Sequence, residues 1–145
     1  MPHSTTPLLT AEDVEAQFYR ALASADLTMM MACWSDDDEV SCVPPGGEML
    51  RGLAAVRALF SDLFERGPVD VQVEDVHTHA GVMHAIHTLV EVVQISTEQG
   101  PAHAQVFTTN VYVKTPRGWR MQAHHASPGR VSSSPPESRH QPTLH

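Results

Sequence analysis

Val14, Phe18, Ala21 and Leu22 recur three and four residues apart, the spacing of one helix face. Thr10 stands before them as a hydroxyl cap, and Glu12 and Asp13 fall in the first turn, where the helix dipole favours acids. The pattern predicts a first helix over residues 11–24. Asp26 can cap a second, short helix with Leu27, Met30, Met31 and Trp34 on one face. Residues 40–43, "VSCV", read as a short strand stopped by the turn signal "PPGG". Leu53, Val56, Leu59, Phe60, Leu63 and Phe64 predict a third helix from Arg51 to Arg66, ended by Gly67 and Pro68.

Beyond Pro68 the period falls to two. Residues 69–79, 82–96, 102–114 and 118–127 are rich in Val, Thr, Ile and His and alternate in polarity. Gly81, Gly100-Pro101 and Pro116-Arg117-Gly118 separate them, and such short connections predict an antiparallel meander. Residues 1–9 read as a flexible arm. Residues 129–145 hold almost nothing apolar to bury and read as a disordered tail. The folded domain then spans 10–128. Three helices followed by a long antiparallel sheet define an α+β fold. Long twisted strands with a broad apolar face curl around a helix and leave a pocket at one end.

Composition narrows the partners. The 145 residues suffice for one core, and 17 acids against 9 bases give a formal charge of −8. That balance argues against nucleic acid and against an anionic membrane surface. No apolar run approaches the roughly 18 residues of a membrane helix. The opening residues lack the regions of a signal peptide, and Cys33 and Cys42 read as reduced thiols, so a cytoplasmic location is expected. Ten histidines make surface charge sensitive to acid.

The last strand ends in "GWRMQAHHAS". Strict alternation puts Trp119, Met121, Ala123 and His125 on one face, and Arg120, Gln122 and His124 on the other. The first set is apolar, so His125 is expected in the pocket as a general base and His124 outside it. Asn110 and Tyr112 share a face with Thr108. They are orienting groups if that face is concave; otherwise Thr109 and Val111 line the pocket. Cys42 is a nucleophile if its pKa is lowered, and a small hydrophobe if it is not. Trp34, Met30 and Met31 read as core. His77 and His79 share a strand face, whereas His84 and His87 take opposite faces. No His or Cys spacing matches a known zinc site. The acidic run Asp36–Glu39 lacks the glycine and distal glutamate of an EF-hand loop and reads as a solvated helix end. No metal or cofactor is expected.

Two helices joined by "AD", then "W…DDDEVSCVPPGGEMLRGLAAVRALF", then a meander ending "GWRMQAHHASP", resemble the SnoaL-like branch of the nuclear transport factor two-like superfamily. The resemblance covers residues 10–128. It implies a cystatin-like cone, with three helices packed on a strongly curved antiparallel sheet and a pocket between sheet and long helix. It also implies a homodimer packed through the outer sheet face. The family holds steroid isomerases, polyketide cyclases, dehydratases and proteins without enzyme activity. Its ketosteroid isomerases need a carboxylate at the position of Cys42, a Tyr at Phe18 and an acid near Thr109 or Asn110. None is present, so that activity is not expected. The resemblance leaves a pocket for a small apolar or carbonyl-containing ligand, lined by Phe18, Trp34, Cys42, Phe60, Trp119 and Met121. If catalytic, it would be a cofactor-free isomerase, cyclase or lyase, with His125 as base and Asn110 and Tyr112 as orienting groups. The rival is a non-catalytic ligand-binding or protein-interaction domain.

Overall fold

A computed structural model describes residues 7–133. The rest of the expected arm and of the expected tail lies outside the described residues. Helix α1 spans Ala11–Ser24, α2 Leu27–Met31 and α3 Leu53–Glu65. Strands β1 (Ser41–Val43) and β2 (Leu50–Arg51) lie between α2 and α3. The long strands follow: β3 (Val71–Ala80), β4 (His84–Thr97), β5 (Gly100–Thr115) and β6 (Gly118–Ser132).

The caps form as their chemistry dictates. The Thr10 hydroxyl accepts from the Asp13 N–H at 3.1 Å, and the Asp13 carboxylate accepts from the Thr10 N–H at 3.1 Å. The Asp26 carboxylate accepts from the Met29 N–H at 2.9 Å and starts α2. Helix α3 begins two residues later than expected, because Leu50 and Arg51 pair with β1 instead.

All six strands form one curved, open sheet in the order β2-β1-β6-β5-β4-β3. The four long strands are the expected meander. The addition is β1, which lies parallel to β6. Its direction is set upstream: the Met121 N–H donates to the Cys33 carbonyl at 2.7 Å, and the Ser35 N–H donates to the Met121 carbonyl at 2.9 Å. Those bonds lead the chain along β6 in the same sense. Strand β6 runs to Ser132, five residues past its expected end, because the long β5 still offers ladder partners as far as His103.

The core lies between the sheet's concave face and the helices. Phe18, Met30, Trp34, Val40, Cys42, Val56, Phe60, Tyr112 and Met121 are all buried in it. Phe18 of α1 meets Phe60 of α3 edge-on at 6.0 Å, and Trp34 lies 6.3 Å from the same ring. Such ring pairs add about 0.5–1.5 kcal/mol each beyond burial. Leu8 is buried as well, its carbonyl accepting from the Trp119 N–H at 2.8 Å. No helix among the described residues is long and apolar enough to cross a membrane.

Candidate functional site

The sheet's concave face carries two polar clusters in an otherwise apolar interior. Their positions follow from strand register. His87, Asn110, His124 and Cys42 stand opposite one another across β4, β5, β6 and β1. Four residues beyond His87, Glu91 points the same way from β4, and Tyr112, two residues beyond Asn110, does so from β5.

The histidine doublet is reversed from the expected arrangement. Val111 of β5 faces Ala123, but Tyr112 faces Met121, so Gln122 has no residue opposite it. This β-bulge resets the alternation. Met121, His124 and Ala126 point inward, while Ala123 and His125 do not. His125 instead lies on the outer face, where its Nε2 is 3.0 Å from the Ser41 hydroxyl. His124 is the buried histidine. Trp119 is only half-buried, at the edge of the core, whereas Phe18, Trp34, Cys42, Phe60 and Met121 lie within it. Asn110 and Tyr112 do face inward, so Thr109 and Val111 belong to the outer face.

The first cluster joins four elements. His124 Nδ1 is 2.6 Å from the Asn110 side-chain oxygen. The Asn110 amide donates to the Tyr19 hydroxyl at 3.2 Å, and that hydroxyl donates to Glu91 Oε2 at 2.7 Å. An amide oxygen can only accept, so His124 carries its proton on Nδ1. Nε2 is then a free lone pair, and it faces Glu91 Oε2 at 4.0 Å.

Electrostatics sharpen this pair. Burial pushes the Glu91 carboxyl above its ordinary value; the hydroxyls of Tyr19 and Thr108 oppose the shift without cancelling it. Burial, then the neighbouring His125, holds His124 down to about 4. Phe18, whose ring lies 4.8 Å from the imidazole, helps exclude water. Burial thus favours the neutral form of both groups, raising the acid and lowering the base.

Glu91 was not singled out in the sequence. The signal was a lone acid in the apolar run "TLVEVVQI", at the parity of buried Leu89 and His87. Tyr19 was passed over because Phe18 holds the helix position facing the core. A phenol is long enough to reach the network from one residue further round. Burial, and then Glu91, push the Cys42 thiol up to about 12, away from the thiolate that a nucleophile needs.

The second cluster sits where α1 crosses β4 and β5. His87 Nδ1 bonds the Glu15 carboxylate, and the Tyr112 hydroxyl donates to the same oxygen at 3.4 Å. His84, three residues earlier, is exposed on the other face, as expected. No group of three or more metal-ligating side chains converges among the described residues.

An α+β cone with a polar concave face is the architecture the chain builds, and comparison with known proteins gives it a family. Residues 11–130 match the SnoaL-like domain, and the chain belongs to that family. No curated protein matches it. Among solved structures, it is 37% identical to a proposed calcium/calmodulin-dependent protein kinase type II association domain from Thiobacillus denitrificans. The TM-score is 0.77, over 87% of this chain and all of that one. It is 25% identical to a proposed dehydratase of the NTF2-like family from Streptomyces avermitilis, with TM-score 0.71, over 80% of this chain and 91% of that one. It is also 25% identical to the S. rosetta CaMKII hub, with TM-score 0.69, over 88% of this chain and all of that one.

Proposed function

We propose that the chain is a self-associating SnoaL-like domain, two copies of which pack sheet to sheet. The observation that carries this reading is the outer face of β4 and β5. Ile86 and Phe107 are 40% and 49% exposed there, in cross-strand rows with Val111 and Ala123 and with Val90 and Ser127. The Phe107 ring lies over Gly129 of β6, 2.8 Å from where a Cβ there would stand. Aromatic side chains are enriched at the core of protein interfaces. Beside it is a groove of about 390 Å³ edged by His77, Thr88, Thr109 and His125, room for a side chain from a partner copy. Similarity to two association or hub domains, each covered completely, supports the reading. Light scattering tests it. Wild type should run as a dimer and Phe107→Glu as a folded monomer. A monomeric wild type at every concentration tried would refute it.

A second reading is favoured by the Glu91–His124 pair. Groups whose environments push their pKa values in opposite directions mark acid and base roles. A ligand carbonyl reaching this cluster would take a proton from Glu91, with Tyr19 as the adjoining donor, while His124 Nε2 accepts a proton from the neighbouring carbon. That is cofactor-free isomerase or lyase chemistry, with Glu91 and His124 in place of His125. Screening carbonyl compounds by thermal shift tests it, since a ligand of the folded state raises the melting temperature. A hit should vanish in both Glu91→Gln and His124→Ala. Hits that survive both substitutions would exclude the site.

A further inference from the structure

A separate cavity of about 710 Å³ lies away from both clusters. Its volume falls within the roughly 300–1,000 Å³ of small-ligand pockets. Met31 at the end of α2, Trp34, and Leu53 at the start of α3 form an apolar wall. Arg117, in the β5–β6 turn, and Arg120, on β6, line it too. Asp36 stands at the same cavity.

Three features give the cavity a preference for anions. Neither arginine forms an ion pair with a carboxylate among the described residues, Asp36 included. In a chain with 17 acids and 9 bases, two unpaired guanidinium groups at one cavity are a local excess of positive charge. Arg120 is also positioned in advance. It is half-buried, its Nη1 donates to the Trp119 carbonyl at 2.8 Å, and the same atom lies 3.4 Å from where a Gly118 Cβ would stand. A side chain already held loses little entropy on binding. Finally, α3 starts at the cavity wall with no capping side chain and no acid in its first turn. Its positive end is therefore uncompensated.

We infer that this cavity binds a small organic carboxylate, with the carboxylate on Arg120 and Arg117 and an apolar body against Trp34, Leu53 and Met31. A guanidinium matches a carboxylate with two parallel hydrogen bonds, and the indole and leucine offer a flat apolar wall. The inference rests neither on self-association nor on the Glu91 cluster, so it stands or falls alone.

Benzoate is the probe, with benzamide as its neutral counterpart. Trp34 and Trp119 are the two tryptophans, so in Trp119→Phe the emission of Trp34 reports on this wall. Benzoate should change that emission saturably, and benzamide should bind more weakly by about tenfold or more, the worth of a charge-assisted hydrogen bond. Calorimetry on otherwise wild-type protein should show the same loss in Arg120→Gln and in Arg117→Gln. The latter lies on an exposed turn, so its loss cannot come from unfolding. Arg57→Gln, an exposed charge on α3 outside the cavity, should bind as wild type does. Equal affinity for benzoate and benzamide, no saturation, or unchanged binding in both arginine variants would overturn the inference.

Discussion

The buried imidazole of His124 should make this domain lose stability in mild acid. Burial and the adjacent His125 hold its pKa down to about 4, against an ordinary value of 6.5. Above 6.5 the imidazole is neutral in both folded and unfolded chains and contributes nothing to the pH dependence. As pH falls from 6.5 toward 4, the unfolded chain takes up a proton that the folded chain refuses, and the balance moves toward unfolding. Below about 4 both forms are protonated and the penalty is constant. At ~1.36 kcal/mol per pH unit, the interval from 6.5 to 4 corresponds to about 3 kcal/mol. That is a large part of the roughly 5–15 kcal/mol that holds a domain together. Glu91 faces His124 and works the other way, since its raised pKa favours the folded state at low pH. Both Glu91 and the His87–Glu15 pair remain in a His124→Asn variant, so the difference between the two proteins isolates His124. Urea unfolding of each, followed by circular dichroism from neutral pH down to pH 4, measures it. Wild type should lose about 3 kcal/mol more than the variant. Parallel curves across that interval would refute both the burial of this imidazole and its neutrality.

Two further outcomes follow from packing. Burial pushes Cys33 and Cys42 up to about 12, so a disulfide reagent at neutral pH should leave native protein almost untouched and modify both thiols after denaturation; rapid native reaction at Cys42 would show an open strand β1. Gly118 has φ 111°, and a Cβ there would lie 2.6 Å from the Leu8 carbonyl oxygen. Gly118→Ala should cost about 1–3 kcal/mol in thermal unfolding, and an unchanged melting temperature would mean that Leu8 does not pack there.

Much of the fold could be read along the chain. Helix α1 declared itself through Val14, Phe18 and Leu22 and its capping pair, because a helix face and a cap are local patterns within four residues. The long strands declared themselves by alternation and by glycine at their turns. The parallel pairing of β1 with β6 was not legible, since it depends on backbone bonds between Met121 and residues almost ninety positions earlier. The site was legible in part. Asn110 and Tyr112 were recognised as polar groups on one strand face, although their side of the sheet was open. Their partners were missed because Tyr19, Glu91 and His124 come from three distant segments, and no short motif links them.

The doublet His124-His125 marks the boundary between the two kinds of information. Sequence alone determined that the two imidazoles must point to opposite faces, because a strand repeats every two residues. Which one points inward was decided only by tertiary structure. One unpaired residue, Gln122, shifts the ladder between β5 and β6, and the shift exchanges the faces of the residues that follow. The sequence carried the acid Glu91 and the base His124 as separate letters. Pairing across the sheet brought them to 4.0 Å, and burial pushes both toward neutrality.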